Sequence, residues 1–184
     1  MKLGELAEIA RALSVEQFEE LYPHPALVFL RAAGESQMMP LLGDESDSAR
    51  EDVLGQTHAG DAANKIFEID VHSLVVFLKR SRTSIGRKAG NDICIVRNSL
   101  SRTHATIEAG VDSWSVVDAG SSAGTSVNGR VVMPKRSQPL QDGARIELGP
   151  EVVAKFYLPR GLHEFIAFFA SSAPQSEDMR YKPY

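Results

Sequence analysis

The chain has 184 residues, of which 43% are hydrophobic and 24% charged, the composition of an ordinary globular protein and not of a disordered one. Its single cysteine, Cys94, excludes an internal disulfide, and the five histidines at 24, 58, 72, 104 and 163 lack metal-ligand spacing. The net charge of -4 is unevenly spread: residues 1–64 carry 12 acids and 4 bases, residues 65–160 carry 9 acids and 14 bases, so the middle of an acidic chain suits an anionic ligand.

Leu3, Leu6, Ile9, Ala10 and Leu13 recur three and four apart and predict a helix. Ser14 to Gln17 reads as a capping box opening a second short helix, which carries Val15, Phe18 and Leu21 and ends before Pro23 and Pro25. Ala26 to Arg31 is compatible with either strand or helix. Residues 43–64 are acidic and nearly free of large apolar side chains, so they bury too little surface to offset the entropy of ordering; they read as a linker, with a surface loop as the alternative.

After residue 64 the hydrophobic period changes to two, with turn signals every eight to twelve residues, as in an antiparallel sandwich. Strands are expected at His72 to Lys79, Thr83 to Gly86, Ile93 to Val96, His104 to Glu108 and Ser113 to Val117. Further strands follow at Thr125 to Val127, Arg130 to Val132, Arg145 to Leu148 and Val152 to Leu158. Asn128-Gly129 between two β runs predicts a type I′ hairpin, because both central positions require positive φ. Leu162, Phe165, Ile166 and Phe169 have helical spacing, which predicts a C-terminal helix docked on the sandwich or on the N-terminal helices.

Three signatures stand in order within this β region: Gly86-Arg87, then Ser101-Arg102-Thr103-His104, then Gly124-Thr125 with Asn128-Gly129. Together they resemble the forkhead-associated (FHA) domain, over roughly residues 66 to 159. The resemblance implies a mainly β protein: an antiparallel sandwich of about ten or eleven strands, with a small helical N-terminal appendage and a C-terminal helix. The expected division is a helical region at 1–42, an acidic linker at 43–64, the FHA domain at 65–160, and a helix and tail at 161–184.

FHA domains bind phosphothreonine peptides through loops at one end of the sandwich, so the resemblance implies an adaptor in Ser/Thr-kinase signalling. Arg87 would be the main phosphate ligand, since a guanidinium offers a planar fork of donors to two phosphate oxygens. Ser101, with its hydroxyl and its own amide, would complete the phosphate shell, with Arg102 adding charge and Ser122 lining the pocket. Many FHA domains have Asn where this chain has Ala123, which offers no side-chain hydrogen bond to the peptide main chain. Asn128 is expected to steady the loops first and contact ligand second, while Gly86, His104, Gly124, Thr125 and Gly129 are structural.

No catalytic residue, metal or cofactor is expected: His104 has no nucleophile or acid partner nearby in sequence, and Gly120 to Gly124 lacks the lysine of a P-loop. Cys94 lies in an apolar alternation as a buried thiol. The basic cluster around Lys79 to Lys88 has no interleaved aromatics, which argues against nucleic acid. No apolar run approaches the roughly 20 residues of a membrane span, and Met1-Lys2-Leu3 leads into acidic helical sequence, so a cytoplasmic location without membrane insertion is expected. Expected partners are a phosphothreonine-containing protein or a Ser/Thr kinase. Thr57, the one threonine outside the sandwich, makes the protein's own phosphorylated linker a further partner. The alternative function is a phosphate-independent protein-interaction scaffold.

Overall fold

The structure is a computed structural model and describes residues 1–32, 41–42 and 66–172. The acidic segment 43–64, with Thr57, lies outside the described residues.

Two helices open the chain, α1 at Leu3–Ala10 and α2 at Val15–Leu21. The predicted capping box forms: the Ser14 side chain accepts from the Gln17 amide, and the Gln17 side chain accepts from the Ser14 amide. Fourteen strands follow among the described residues: β1 (Ala26–Phe29), β2 (Arg31–Ala32), β3 (Leu41–Leu42), β4 (Phe67–Glu68), β5 (Leu74–Phe77), β6 (Arg82–Gly86), β7 (Ile93–Cys94), β8 (Ala105–Ala109), β9 (Trp114–Asp118), β10 (Thr125–Val127), β11 (Arg130–Val131), β12 (Ser137–Leu140), β13 (Arg145–Leu148) and β14 (Val152–Tyr157). Helix α3 spans Pro159–Ser172.

The strands form two six-stranded sheets, ordered β11-β10-β13-β14-β1-β5 and β12-β9-β8-β6-β7-β3, with a small β2-β4 ribbon beside them. Every pair is antiparallel except β6 with β7. Between the sheets lies one apolar core, built by Leu27, Phe29, Ile85, Ile107, Val116, Ile146, Ala154 and Phe156 among others. Each fully buried large side chain of this kind stabilises the fold by about 2 kcal/mol.

The run left open by the sequence is strand β1, seated between β14 and β5. Its four residues are all buried because both its faces are covered. Leu27 and Phe29 enter the sandwich core, whereas Ala26 and Val28 point to a second core with Leu3, Leu6 and Phe18 of the N-terminal helices and Leu162 and Ile166 of α3. Helix α3 therefore docks on the sheet and on the N-terminal helices together. Covered on both sides, β1 loses the polar-apolar alternation that marks a half-buried strand.

Strand β12 escaped the sequence pattern for another reason. It contains Pro139, which cannot donate to a ladder, and it occupies the edge of its sheet, where a missing donor is tolerated. The Asn128-Gly129 hairpin forms as expected, with φ of 51° and 77° at the two turn positions and Val127 paired to Arg130.

Candidate functional site

Strand β6 ends at Gly86, where the backbone passes hard against the segment that follows Ser101. A Cβ on Gly86 would lie 2.4 Å from the Arg102 carbonyl oxygen and 2.8 Å from the Thr103 Cα, so only glycine permits this approach. Beyond it, the Arg87 amide donates to the Ser101 carbonyl at 3.0 Å and the Lys88 amide to the Arg102 carbonyl at 3.2 Å. Asn91 is buried and locks the same junction: its Nδ2 donates to the carbonyl oxygens of Lys88 at 2.7 Å and Arg102 at 2.6 Å. Two loops distant in sequence thus become one rigid platform.

Ser101 is tied at three points. Its carbonyl accepts from Arg87, its amide donates to His104 Nδ1 at 3.2 Å, and its hydroxyl oxygen accepts from the Ser122 amide at 3.0 Å. The expectation that the Ser101 amide joins an anion's shell is thereby corrected, since His104 takes that proton. The hydroxyl proton is used by no hydrogen bond among the described residues, and it is the donor this serine can offer.

His104 is fully buried, and its Nε2 bonds the Gly124 carbonyl at 3.0 Å. A carbonyl can only accept and an amide can only donate, so the proton must sit on Nε2 and the ring is neutral. Burial lowers the His104 pKa, opposed by the Gly124 bond and by the charge of Asp118. The imidazole bridges two loops, from the Ser101 amide to the Gly124 carbonyl.

Asp118, at the end of β9, organises the third loop. Its carboxylate accepts from the amides of Gly120 and Ser121 at 2.8 Å each, and from the hydroxyls of Ser121 and Thr125 at 2.6 Å each. Burial opposes its ionisation, but the bonds from Ser121, Thr125 and Gly120 outweigh that and hold its pKa below the ordinary value. This Asx-type turn delivers Gly120 and Ser122 to the site.

The result is an open pocket of about 690 Å³ lined by Arg87, Lys88, Asn98, Ser99, Leu100, Ser101, Arg102, Thr103, Gly120 and Ser122. Of the residues expected to contact ligand, the pocket brings together Arg87, Ser101, Arg102 and Ser122. Ala123 and Asn128 are not among its lining residues. Ala123 is exposed beside Gly149, and a Cβ on that glycine would lie 3.0 Å from the Ala123 Cβ. Asn128 is spent on the hairpin, where its Oδ1 accepts from the Arg145 amide at 2.8 Å.

Arg87, Lys88 and Arg102 are exposed, and no ion pair among the described residues engages them. No Asp or Glu lines the pocket. Sequence reasoning missed Asn91, Asp118 and Glu151, which accepts from the Ser99 hydroxyl. Asp118 was findable from its spacing to Gly120 and Ser121; Glu151 was not, because its partner lies 52 residues away. Cys94 is buried in β7, its thiol pKa raised by burial. Among the described residues there is no cluster fit to hold a metal ion and no helix long and apolar enough to cross a membrane.

The architecture is that of a β-sandwich whose loops bring exposed cations and hydroxyls to one pocket. Residues 83–149 match the family described as FHA domain. Among similar proteins, an oxoglutarate dehydrogenase inhibitor of Corynebacterium jeikeium is 38% identical over 72 residues, which is 39% of this chain and 48% of that protein. An FHA domain-containing protein of Arabidopsis thaliana is 40% identical over 60 residues, 33% of this chain and 16% of that one. The chain thus spans about half the length of the corynebacterial relative and a small part of the plant one. Among solved structures, an Arabidopsis thaliana FHA domain has a TM-score of 0.47 and 23% identity, covering 73% of this chain and 85% of that domain. A second, from work on phosphothreonine-dependent FHA domain interactions, has a TM-score of 0.43 and 25% identity over 48% of this chain and 88% of that one.

Proposed function

We propose that this chain is a phosphothreonine-peptide-binding adaptor in Ser/Thr-kinase signalling, with the phosphate held by Arg87 and the Ser101 hydroxyl. The observation that carries this reading is that Arg87 and Ser101, whose backbones are joined by the bond from the Arg87 amide to the Ser101 carbonyl, both line one pocket, with the guanidinium in no ion pair and the hydroxyl proton in no hydrogen bond among the described residues. The Ser122 amide positions that hydroxyl, and Arg102 adds charge. A doubly charged phosphate, with acceptor oxygens on every side, suits such donors. The methyl of phosphothreonine adds about 0.8 kcal/mol of burial over phosphoserine where the pocket encloses it. The name of the corynebacterial relatives points to regulation of a protein partner, which fits an adaptor without catalysis of its own.

The test is a titration of phosphothreonine, phosphoserine and unmodified forms of one peptide against wild type and Arg87→Ala. Binding of the phosphothreonine form, weaker binding of phosphoserine, and loss in the variant are expected. Equal binding of all three peptides would overturn the reading in favour of a phosphate-independent scaffold, the alternative to which Ala123 lends weight.

A further inference from the structure

We infer that the pocket takes a peptide bearing a second negative charge next to its phosphothreonine, held by Lys88 and Arg102. This rests on the phosphothreonine reading and specifies its ligand. The three cations that line the pocket face no lining carboxylate, so the site carries one positive charge more than a single phosphate, near -2 at neutral pH, neutralises.

The arrangement of the excess is what points to a second anion. The backbones of Lys88 and Arg102 are joined by the Lys88 amide, which donates to the Arg102 carbonyl, and by Asn91, whose side-chain amide bonds both carbonyls. The fold therefore holds two cationic residues beside each other through a buried clamp and supplies neither with an ion-pair partner among the described residues. Like charges held at neighbouring positions repel, and an anion between them removes that repulsion. Arg87 and Ser101 are pinned to each other one step along the same two loops, so the phosphothreonine and the second charge occupy adjacent places. Glu151, which bonds Ser99, is not among the lining residues and leaves the charge excess unmet.

The second charge is an acidic side chain or another phosphate, and one peptide series separates them. It comprises a phosphothreonine peptide with neutral neighbours, versions with Glu at each flanking position in turn, and versions with phosphoserine at the same positions. Each is titrated against wild type, Lys88→Ala/Arg102→Ala, and Arg130→Ala/Arg136→Ala, whose cations are exposed but do not line the pocket. At one or more flanking positions, the doubly anionic peptides are expected to bind wild type about fivefold to tenfold more tightly than the neutral-flanked one. That gain is lost in Lys88→Ala/Arg102→Ala and kept in Arg130→Ala/Arg136→Ala. A gain with Glu identifies the acidic side chain; a gain with phosphoserine alone identifies the second phosphate. Equal affinity of all the peptides for wild type, with Arg87→Ala still abolishing binding, overturns this inference and leaves the phosphothreonine reading intact. A gain that survives in Lys88→Ala/Arg102→Ala also overturns it. Failure of every phosphopeptide to bind overturns both.

Discussion

Nδ1 of His104 accepts the amide proton of Ser101, and this contact decides how the site responds to acid. A proton added at Nδ1 would face the Ser101 N–H donor to donor and expel it. Because burial lowers the His104 pKa, the folded protein resists that proton better than the unfolded chain, in which histidine titrates near its ordinary 6.5. Between those two values the unfolded state holds more protons, so stability falls as pH drops below 6.5 and goes on falling to the folded pKa.

Asp118 works in the same direction at lower pH. Its folded pKa lies below the ordinary 3.8, so its contribution is complete above 3.8 and is lost as pH falls through the folded value. Thermal unfolding across this range is expected to give two declines, and His104→Gln to remove the one that begins near 6.5. An unchanged profile in the variant would exclude His104 as its source.

Replacing Gly86 by Ala sets a methyl group against the Arg102 carbonyl oxygen, which belongs to backbone and cannot swing aside. We expect a loss of about 3 kcal/mol by chemical denaturation. Phosphopeptide affinity should fall with it, because the displaced segment carries Arg102 and adjoins Ser101.

Asn91→Asp is nearly isosteric but turns a donor towards two carbonyls into a buried carboxylate facing them. The expected cost is about 3 kcal/mol, and more than that of Asn91→Ala, which removes the side-chain donor but leaves each carbonyl the backbone amide it already accepts. Denaturant titration of both variants gives the ranking. The reverse ranking would mean that the amide acts by filling space.

Ala123→Asn restores the side chain common at this position in the resembling domains. If it reaches the peptide main chain, one neutral hydrogen bond adds about 1 kcal/mol, or about fivefold in affinity. Calorimetry on one phosphothreonine peptide measures it, and no change would show that residue 123 stands clear of the ligand.

Much of this was legible in the residues. The strands of period two, the type I′ hairpin at Asn128-Gly129 and the capping box at Ser14 each express a local rule, and each forms. Arg87, Ser101, Arg102 and Ser122 could be named from short motifs because each motif lies within one loop. What escaped was what depends on distant partners. Strand β1 does not alternate because helices cover one of its faces. The role of Asn91 depends on a carbonyl 11 residues away, and the Ser101 amide, which the motif alone offers to a ligand, donates instead to His104.

The central seat of β1 has a consequence for biosynthesis. Ala26 pairs with Phe77 on one side and Tyr157 on the other, so the ribosome releases this strand long before its second neighbour exists. Until Tyr157 emerges, a wholly apolar ribbon has one open edge, the state in which nascent chains aggregate or recruit chaperones. Closing that sequence gap makes the first sheet a slow, late product of folding, and the matched segment 83–149 made alone would lack β14, β1 and β5, three of the six strands of that sheet.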